Sequence, residues 1–113
     1  MQGIAREEGY YIKGSRPQRN NNPGDLVYES WQKNFGATKE TNGRFAVFPT
    51  ADQGWAAMKH LLGFPIYKGK TIAQALNIWA PASDGNNVSA YLANVLTWTG
   101  YKSTDIIDEL IQA

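Results

Sequence analysis

The second half of the chain carries a regular succession of helix start and stop signals, and these confine it to a helical structure. Thr50 and Thr71 each precede a glutamine by three residues, which is the capping-box pattern. Gly63, Pro81 and Gly100 follow apolar residues spaced every three or four positions, as helix-ending residues do. We therefore predict four helices, with starts after Thr50, after Thr71, after Asn86 or Asn87, and after Ser103 or Thr104.

The first half predicts a short helix followed by loop and strand. Residues 2–8 contain helix-forming residues, and Gly9 can end that helix in a left-handed conformation. Residues 13–24 are rich in Gly, Ser, Pro, Arg and Asn and predict a long ordered loop without helix. Residues 26–28 and 44–48 predict strands, with a turn at 41–43. The predicted fold is α+β, mainly α, with a small antiparallel β-hairpin or sheet after the first helix.

Composition narrows the class of protein. A chain of 113 residues predicts a single domain, residues 1–113. It has no cysteine, which excludes disulfides, zinc–thiolate sites and cysteine nucleophiles. A net charge of +1 argues against a nucleic-acid or anionic-lipid partner. No apolar run reaches membrane-spanning length and no leader pattern opens the sequence, so neither membrane insertion nor a signal peptide is expected.

An acidic pair at the end of the first predicted helix is the strongest candidate for catalytic chemistry. Glu7 and Glu8 directly precede Gly9, Tyr10 and Tyr11. Glu8 lies four residues after Ile4 and so shares the helix face expected to meet the core. A partly buried carboxyl group resists ionisation and can give its proton to a leaving oxygen, as cleavage of a sugar bond requires. The competing interpretation is that both are solvated surface acids.

A polar turn follows the acidic pair and is the candidate substrate-binding segment. Asn20, Asn21 and Asn22 offer amide donors and acceptors suited to hydroxyl and acetamido groups. The same residues before Pro and Gly can simply form a turn, since asparagine tolerates a left-handed backbone. Asp25 is the candidate second carboxylate, although it can equally be a turn residue. Both interpretations of this segment stay open.

Other chemistries lack their required patterns. The lone histidine, His60, lies on the polar side of its predicted helix, and no metal-ligand spacing surrounds it. The sequence has no glycine-rich phosphate loop and no nucleophile elbow. We therefore expect neither a metal ion nor an organic cofactor.

Several motifs occur together in an order typical of one superfamily. Glu8 and Gly9 close a helix, Asn-Asn-Pro-Gly-Asp-Leu follows at 21–26, and Phe-Ala-Val-Phe-Pro-Thr-Ala-Asp-Gln-Gly-Trp spans 45–55. Trp-Ala-Pro at 79–81 and Ala-Tyr-Leu-Ala-Asn-Val-Leu at 90–96 complete the series. From about residue 4 to 100 the chain resembles the small peptidoglycan-hydrolase domains of the lysozyme-like superfamily, found in phage lysins and virion-associated proteins. More loosely, it resembles lytic transglycosylases and bacterial glucosaminidases.

This resemblance implies a lysozyme-like fold and a glycosidase that cuts the glycan strand of bacterial peptidoglycan. Glu8 would be the general acid, with Glu7 as the alternative under the transglycosylase alignment. Tyr91 would lie beside that acid, and Tyr10 and Tyr11 would shape the groove. The Gly-Leu-Met-Gln segment of the transglycosylases is absent, so both hydrolysis and formation of an anhydro sugar remain open.

The resemblance also implies where the protein acts and with what. The expected partner is peptidoglycan, with the protein acting as a monomer on the cell wall, in the periplasm, outside the cell or from a virion. The alternative is a non-catalytic wall-binding or virion structural module on the same fold. A nucleic-acid-binding domain is the third possibility, but it requires a basic face that the charge balance barely permits.

Overall fold

The computed structural model describes residues 1–81 and 85–111. About half of the chain is helical, and one small antiparallel sheet accompanies the helices, so the structure is α+β and mainly α. The elements in chain order are α1 Gln2–Glu7, α2 Arg16–Arg19, a 3-10 helix Ser30–Phe35, β1 Thr38–Lys39, β2 Ala46–Val47, α3 Ala51–Leu62, α4 Ile72–Trp79, α5 Val88–Thr99 and α6 Ile107–Ile111.

The chain divides into two compact units. The amino-terminal unit is Ile4–Leu61, and the carboxy-terminal unit combines Met1–Gly3 with Leu62–Ala113. The prediction of a single domain over residues 1–113 stays a prediction.

The amino-terminal unit surrounds its buried side chains with short elements. β1 pairs antiparallel with β2, with Thr38 opposite Val47 and Lys39 opposite Ala46. The predicted strand at 26–28 is reduced to a single bridge between Val27 and Phe45. The buried apolar residues of this unit are Ile4, Ala5, Leu26, Ala37, Ala46, Phe48, Ala57 and Met58.

Two elements of the amino-terminal unit differ from the sequence prediction. The predicted loop at 13–24 contains the helix α2, so the prediction of no helix there is wrong. Ser15 caps α2 by accepting a hydrogen bond from the Gln18 backbone N–H, and Pro17 supplies a helical φ in the first turn. The 3-10 helix was not predicted, although Glu29 and Gln32 form a capping box at its start.

The helix predicted after Thr50 is α3, which belongs to the amino-terminal unit apart from its last residue, and the carboxy-terminal unit contains the other three predicted helices, α4, α5 and α6. Thr71 and Gln74 form the expected capping box of α4, and Asn87, not Asn86, caps α5. Gly100 ends α5 with a φ of +78°, in the left-handed region. The buried apolar residues of this unit are Leu62, Tyr67, Ile72, Ala75, Leu76, Ala80, Tyr91, Val95, Ile107 and Leu110.

The last helix starts later than predicted. Neither Ser103 nor Thr104 caps it, because α6 begins at Ile107. The preceding residues serve α4 instead: the carbonyl oxygens of Asp105 and Ser103 accept the Ile72 and Ala73 backbone N–H groups, at 2.8 and 3.1 Å. These N–H groups belong to the first turn of a helix and have no partner within it.

Candidate functional site

Glu8 directly follows the last residue of α1 and forms the cap at the end of that helix. Its backbone N–H still donates to the Ile4 carbonyl oxygen at 2.9 Å, and Gly9 follows with a φ of +89°. The Gly9 and Tyr10 N–H groups then donate back to Arg6 and Ala5, at 3.1 and 3.0 Å. This paired pattern is the Schellman motif, which requires a left-handed residue after the cap. The predicted end of the first helix at Gly9 is therefore confirmed, and both Glu7 and Glu8 are half-buried.

The aromatic residues that follow Glu8 pack against each other and against α3. The Tyr10 ring lies edge-on to the Tyr11 ring, with centroids 5.2 Å apart, and edge-on to the Trp55 ring at 5.4 Å. Tyr11 keeps 54% of its surface exposed, and burial of its hydroxyl, together with the neighbouring Tyr10, raises its pKa. Edge-to-face pairs of this kind fix ring orientation. Tyr10, Tyr11 and Trp55 therefore form an aromatic cluster, and its two tyrosines directly follow Glu8 and Gly9 in the sequence.

Asn22 holds its own turn together. It is fully buried, and its side-chain amide donates to the carbonyl oxygens of Leu26 and Ala46, each at 3.0 Å. Its side-chain oxygen accepts the Leu26 backbone N–H at 2.9 Å. Asn21 has a φ of +51° and donates to the Phe48 carbonyl oxygen at 3.1 Å. These bonds favour the turn role that the sequence left open for Asn21 and Asn22.

The turn is held against α3 by a glycine. Gly54 is buried in α3, and a side-chain carbon there would overlap the Asn21 carbonyl oxygen and lie 2.9 Å from the Asn21 carbonyl carbon. Pro23 Cδ would be 3.0 Å away. A helix interior normally disfavours glycine, so its presence here reflects the close approach of the two backbones. The two most specific motifs of the sequence, at 21–26 and 45–55, therefore meet at Gly54.

Asn20 differs from the two asparagines that follow it. Its side-chain amide donates to Glu40 Oε2 at 3.0 Å. This hydrogen bond is the main reason that the pKa of Glu40 is lowered, with smaller contributions from the Phe45 backbone and from the charges of Arg16 and Arg19. Asn20 is buried, so its amide serves chiefly to fix this carboxylate.

Asp25 forms an ion pair instead of bonding to its own backbone. Arg16 Nε donates to Asp25 Oδ1 at 3.0 Å and Arg16 Nη2 to Oδ2 at 2.5 Å, a two-pronged contact. The Asp25 side chain is 7% exposed, whereas that of Arg16 is 45% exposed. Asp25 has a φ of +48°, which aspartate tolerates better than most residues. Both oxygens of the predicted second carboxylate therefore already have a donor.

Tyr91 belongs to the carboxy-terminal unit. It is buried in α5, with 5% of its surface exposed. Its predicted location beside Glu8 stays a prediction, as do the substrate contacts of Tyr10, Tyr11, Asn20, Asn21 and Asn22.

Among the residues that the structure describes, no group of three or more His, Cys, Asp or Glu is placed to hold a metal ion. Over residues 1–81 and 85–111, no helix combines the length and apolar character needed to cross a bilayer.

Comparison with known proteins does not extend the assignment. No protein-family model, no curated protein and no solved structure matches this chain significantly. The site must therefore be interpreted from its own residues.

Sequence reasoning missed two contributors to this region. Neither Arg16 nor Trp55 was among the predicted site residues. The position of Arg16 directly after a good N-cap residue was a signal that it starts a helix, but its pairing with Asp25 has no local signature. Trp55 follows the closely packed Gly54, and that glycine marked the place where α3 meets the turn.

Proposed function

We propose that this protein cuts the glycan strand of bacterial peptidoglycan, on a lysozyme-like fold, with Glu8 as the general acid. The observation that carries the proposal is the placement of Glu8. It is half-buried, and it ends a helix in a defined Schellman turn. Tyr10 and Tyr11 follow it and form an aromatic cluster with Trp55. The order of motifs along the chain, which resembles that of peptidoglycan hydrolases, supports the same function.

The carboxylates that could activate a water molecule already carry structural hydrogen bonds. Asp25 is held by Arg16, and Glu40 by Asn20. Glu29 accepts a hydrogen bond from Trp31 Nε1 at 2.9 Å and caps the 3-10 helix. This arrangement favours attack by a hydroxyl group of the substrate over attack by a water molecule, which a second carboxylate would have to activate as a base.

The reaction then needs one acidic residue. Glu8 protonates the bridging oxygen, and the bond from that oxygen to the muramyl anomeric carbon breaks. The 6-hydroxyl of the muramyl sugar bonds to that carbon and returns its proton to the Glu8 carboxylate. The products are a 1,6-anhydro sugar and a free hydroxyl on the departing chain, and no water is consumed. Hydrolysis is the alternative outcome, with Asp25 the candidate base.

Substitution of the acid tests the proposal directly. Glu8→Gln keeps the side-chain shape but removes the proton, so the rate of wall clearing should fall by about 10²–10⁴-fold. Glu7→Gln is the matched control and should retain most of the activity. Mass spectrometry of the released muropeptides should find products lighter by one water than those of hydrolysis.

Three results contradict parts of the proposal. Full activity of Glu8→Gln with loss in Glu7→Gln would move the acid to Glu7. Products that have all gained water would establish hydrolysis. Unchanged clearing by both variants would refute the enzymatic function.

A non-catalytic wall-binding or virion structural module is the second candidate. Exposed aromatic side chains favour it, since Tyr11 and Trp98 can stack on sugars without any activated acid. Binding of the purified protein to a bacterial wall suspension without loss of turbidity would support this candidate.

A further inference from the structure

Arg16 links the segments on which the candidate site is built. Its guanidinium group holds both oxygens of Asp25, and its central carbon lies 3.6 Å from the Phe45 ring centroid. A guanidinium group can pair with a carboxylate at its edge while its face stacks on an aromatic ring, which an ammonium group cannot do. One side chain from α2 therefore contacts both the 21–26 turn and the β-hairpin.

The start of α2 is tied to the turn that follows Glu8. Ser15 Oγ donates to the Gly9 carbonyl oxygen at 2.7 Å and accepts the Gln18 N–H at 3.3 Å. Gly9 is the left-handed residue next to Glu8. Arg16 consequently starts from a backbone position that is fixed relative to the end of α1.

The charges around Arg16 identify the groups that it influences. Asp25 raises the pKa of Arg16 most, through its hydrogen bonds, and the charges of Glu40 and Glu8 raise it further, while burial opposes them. The interaction is mutual, so the positive charge of Arg16 contributes to the lowered pKa of Glu40 and also acts on Glu8.

Other charged groups lie close to this cluster. The charge of Arg19 helps to lower the pKa of Glu40, and the Arg44 guanidinium carbon lies 5.2 Å from the Phe45 ring centroid. Arg6 and Glu7 directly precede Glu8 along the chain. A change of charge at Arg16 therefore removes one of several positive charges near these carboxylates, so its effect has to be compared with that of a control variant that loses a distant charge.

We propose that Arg16 is a positioning residue for the cleavage reaction: from a helix start tied to the turn after Glu8, it holds Asp25 and the hairpin in place and supplies a positive charge that acts on Glu8. This inference rests on the proposed function, because it takes Glu8 as the acid. It assigns Asp25 to the support of Arg16 and not to the activation of water.

The pH dependence of activity distinguishes this role from a purely structural one. A general acid works only while protonated, so activity declines as the pH rises through the pKa of Glu8. Removing a nearby cation disfavours the ionised carboxylate, which moves that decline to higher pH. Loss of structure alone would lower the rate at every pH without moving the decline.

Three variants separate charge from geometry. Arg16→Gln removes both, and we expect a lower maximal clearing rate and an alkaline decline displaced to higher pH. Arg16→Lys keeps the charge but not the two-pronged contact, so we expect a lower rate with the decline near its wild-type pH. Lys33→Gln removes a charge from an exposed position in the 3-10 helix and should leave the pH profile unchanged.

The measurement is the rate of turbidity loss of purified bacterial walls between pH 5 and 9, with urea unfolding to establish that each variant is folded. An active wild type whose alkaline decline does not move in Arg16→Gln overturns the charge role. If Arg16→Gln does not fold, the test depends on Arg16→Lys. A wild-type clearing rate in Arg16→Lys overturns the positioning role. A wild type that releases no muropeptide overturns the proposed function, and this inference with it.

Discussion

Replacing Asn22 by alanine tests whether the asparagine turn is structural. Asn22 is fully buried and makes three hydrogen bonds, two as donor and one as acceptor. Alanine would leave the buried Leu26 N–H without its acceptor, at a cost of about 1–3 kcal/mol. The two lost donor bonds are each worth about 0.5–1.5 kcal/mol. The free energy of unfolding should therefore fall by roughly 2–6 kcal/mol, a large part of the 5–15 kcal/mol typical of a domain.

Urea unfolding followed by tryptophan fluorescence measures this loss. Asn34→Ala is the matched control, because Asn34 is exposed in the 3-10 helix, and it should change the free energy by less than about 0.5 kcal/mol. If Asn22→Ala unfolds at the wild-type urea concentration but no longer clears walls, the structural argument fails. Asn22 would then have to contact substrate.

Two further predictions concern packing and pH. Gly54→Ala should destabilise the protein by more than about 2 kcal/mol, because the added carbon overlaps the Asn21 backbone. This cost exceeds the gain from the higher helix propensity of alanine. A gain in thermal stability would show that the backbones of Gly54 and Asn21 do not approach so closely. The hydrogen bond from Asn20 holds the pKa of Glu40 below its ordinary value of 4.5, so the stabilisation by ionised Glu40 is complete above about pH 4.5 and is lost as the pH falls through the lower folded-state pKa. The stability difference between wild type and Glu40→Gln should therefore be constant above that pH and shrink below it, and a difference independent of pH down to 3 would contradict the role of the Asn20 hydrogen bond.

Elements with local signals could be predicted from the amino-acid sequence alone. The capping box at Thr71, the cap at Asn87 and the left-handed glycines at 9 and 100 each act over a few neighbouring residues, and the structure contains them where they were predicted. The half-buried acid at the end of α1 follows from the same local logic, since one helical turn places Glu8 on the face of Ile4.

The partners of the polar side chains could not be predicted in this way, because they come from distant parts of the chain. Asn22 bonds to Ala46 across 24 residues and Asn20 to Glu40 across 20, and the pairing of Arg16 with Asp25 crosses a turn. Such bonds form because burial leaves each polar group with few possible partners, and those partners depend on how distant segments meet. For the same reason the residues before α6 cap α4 instead of their own helix: the unpaired N–H groups of α4 lie within reach of their carbonyl oxygens.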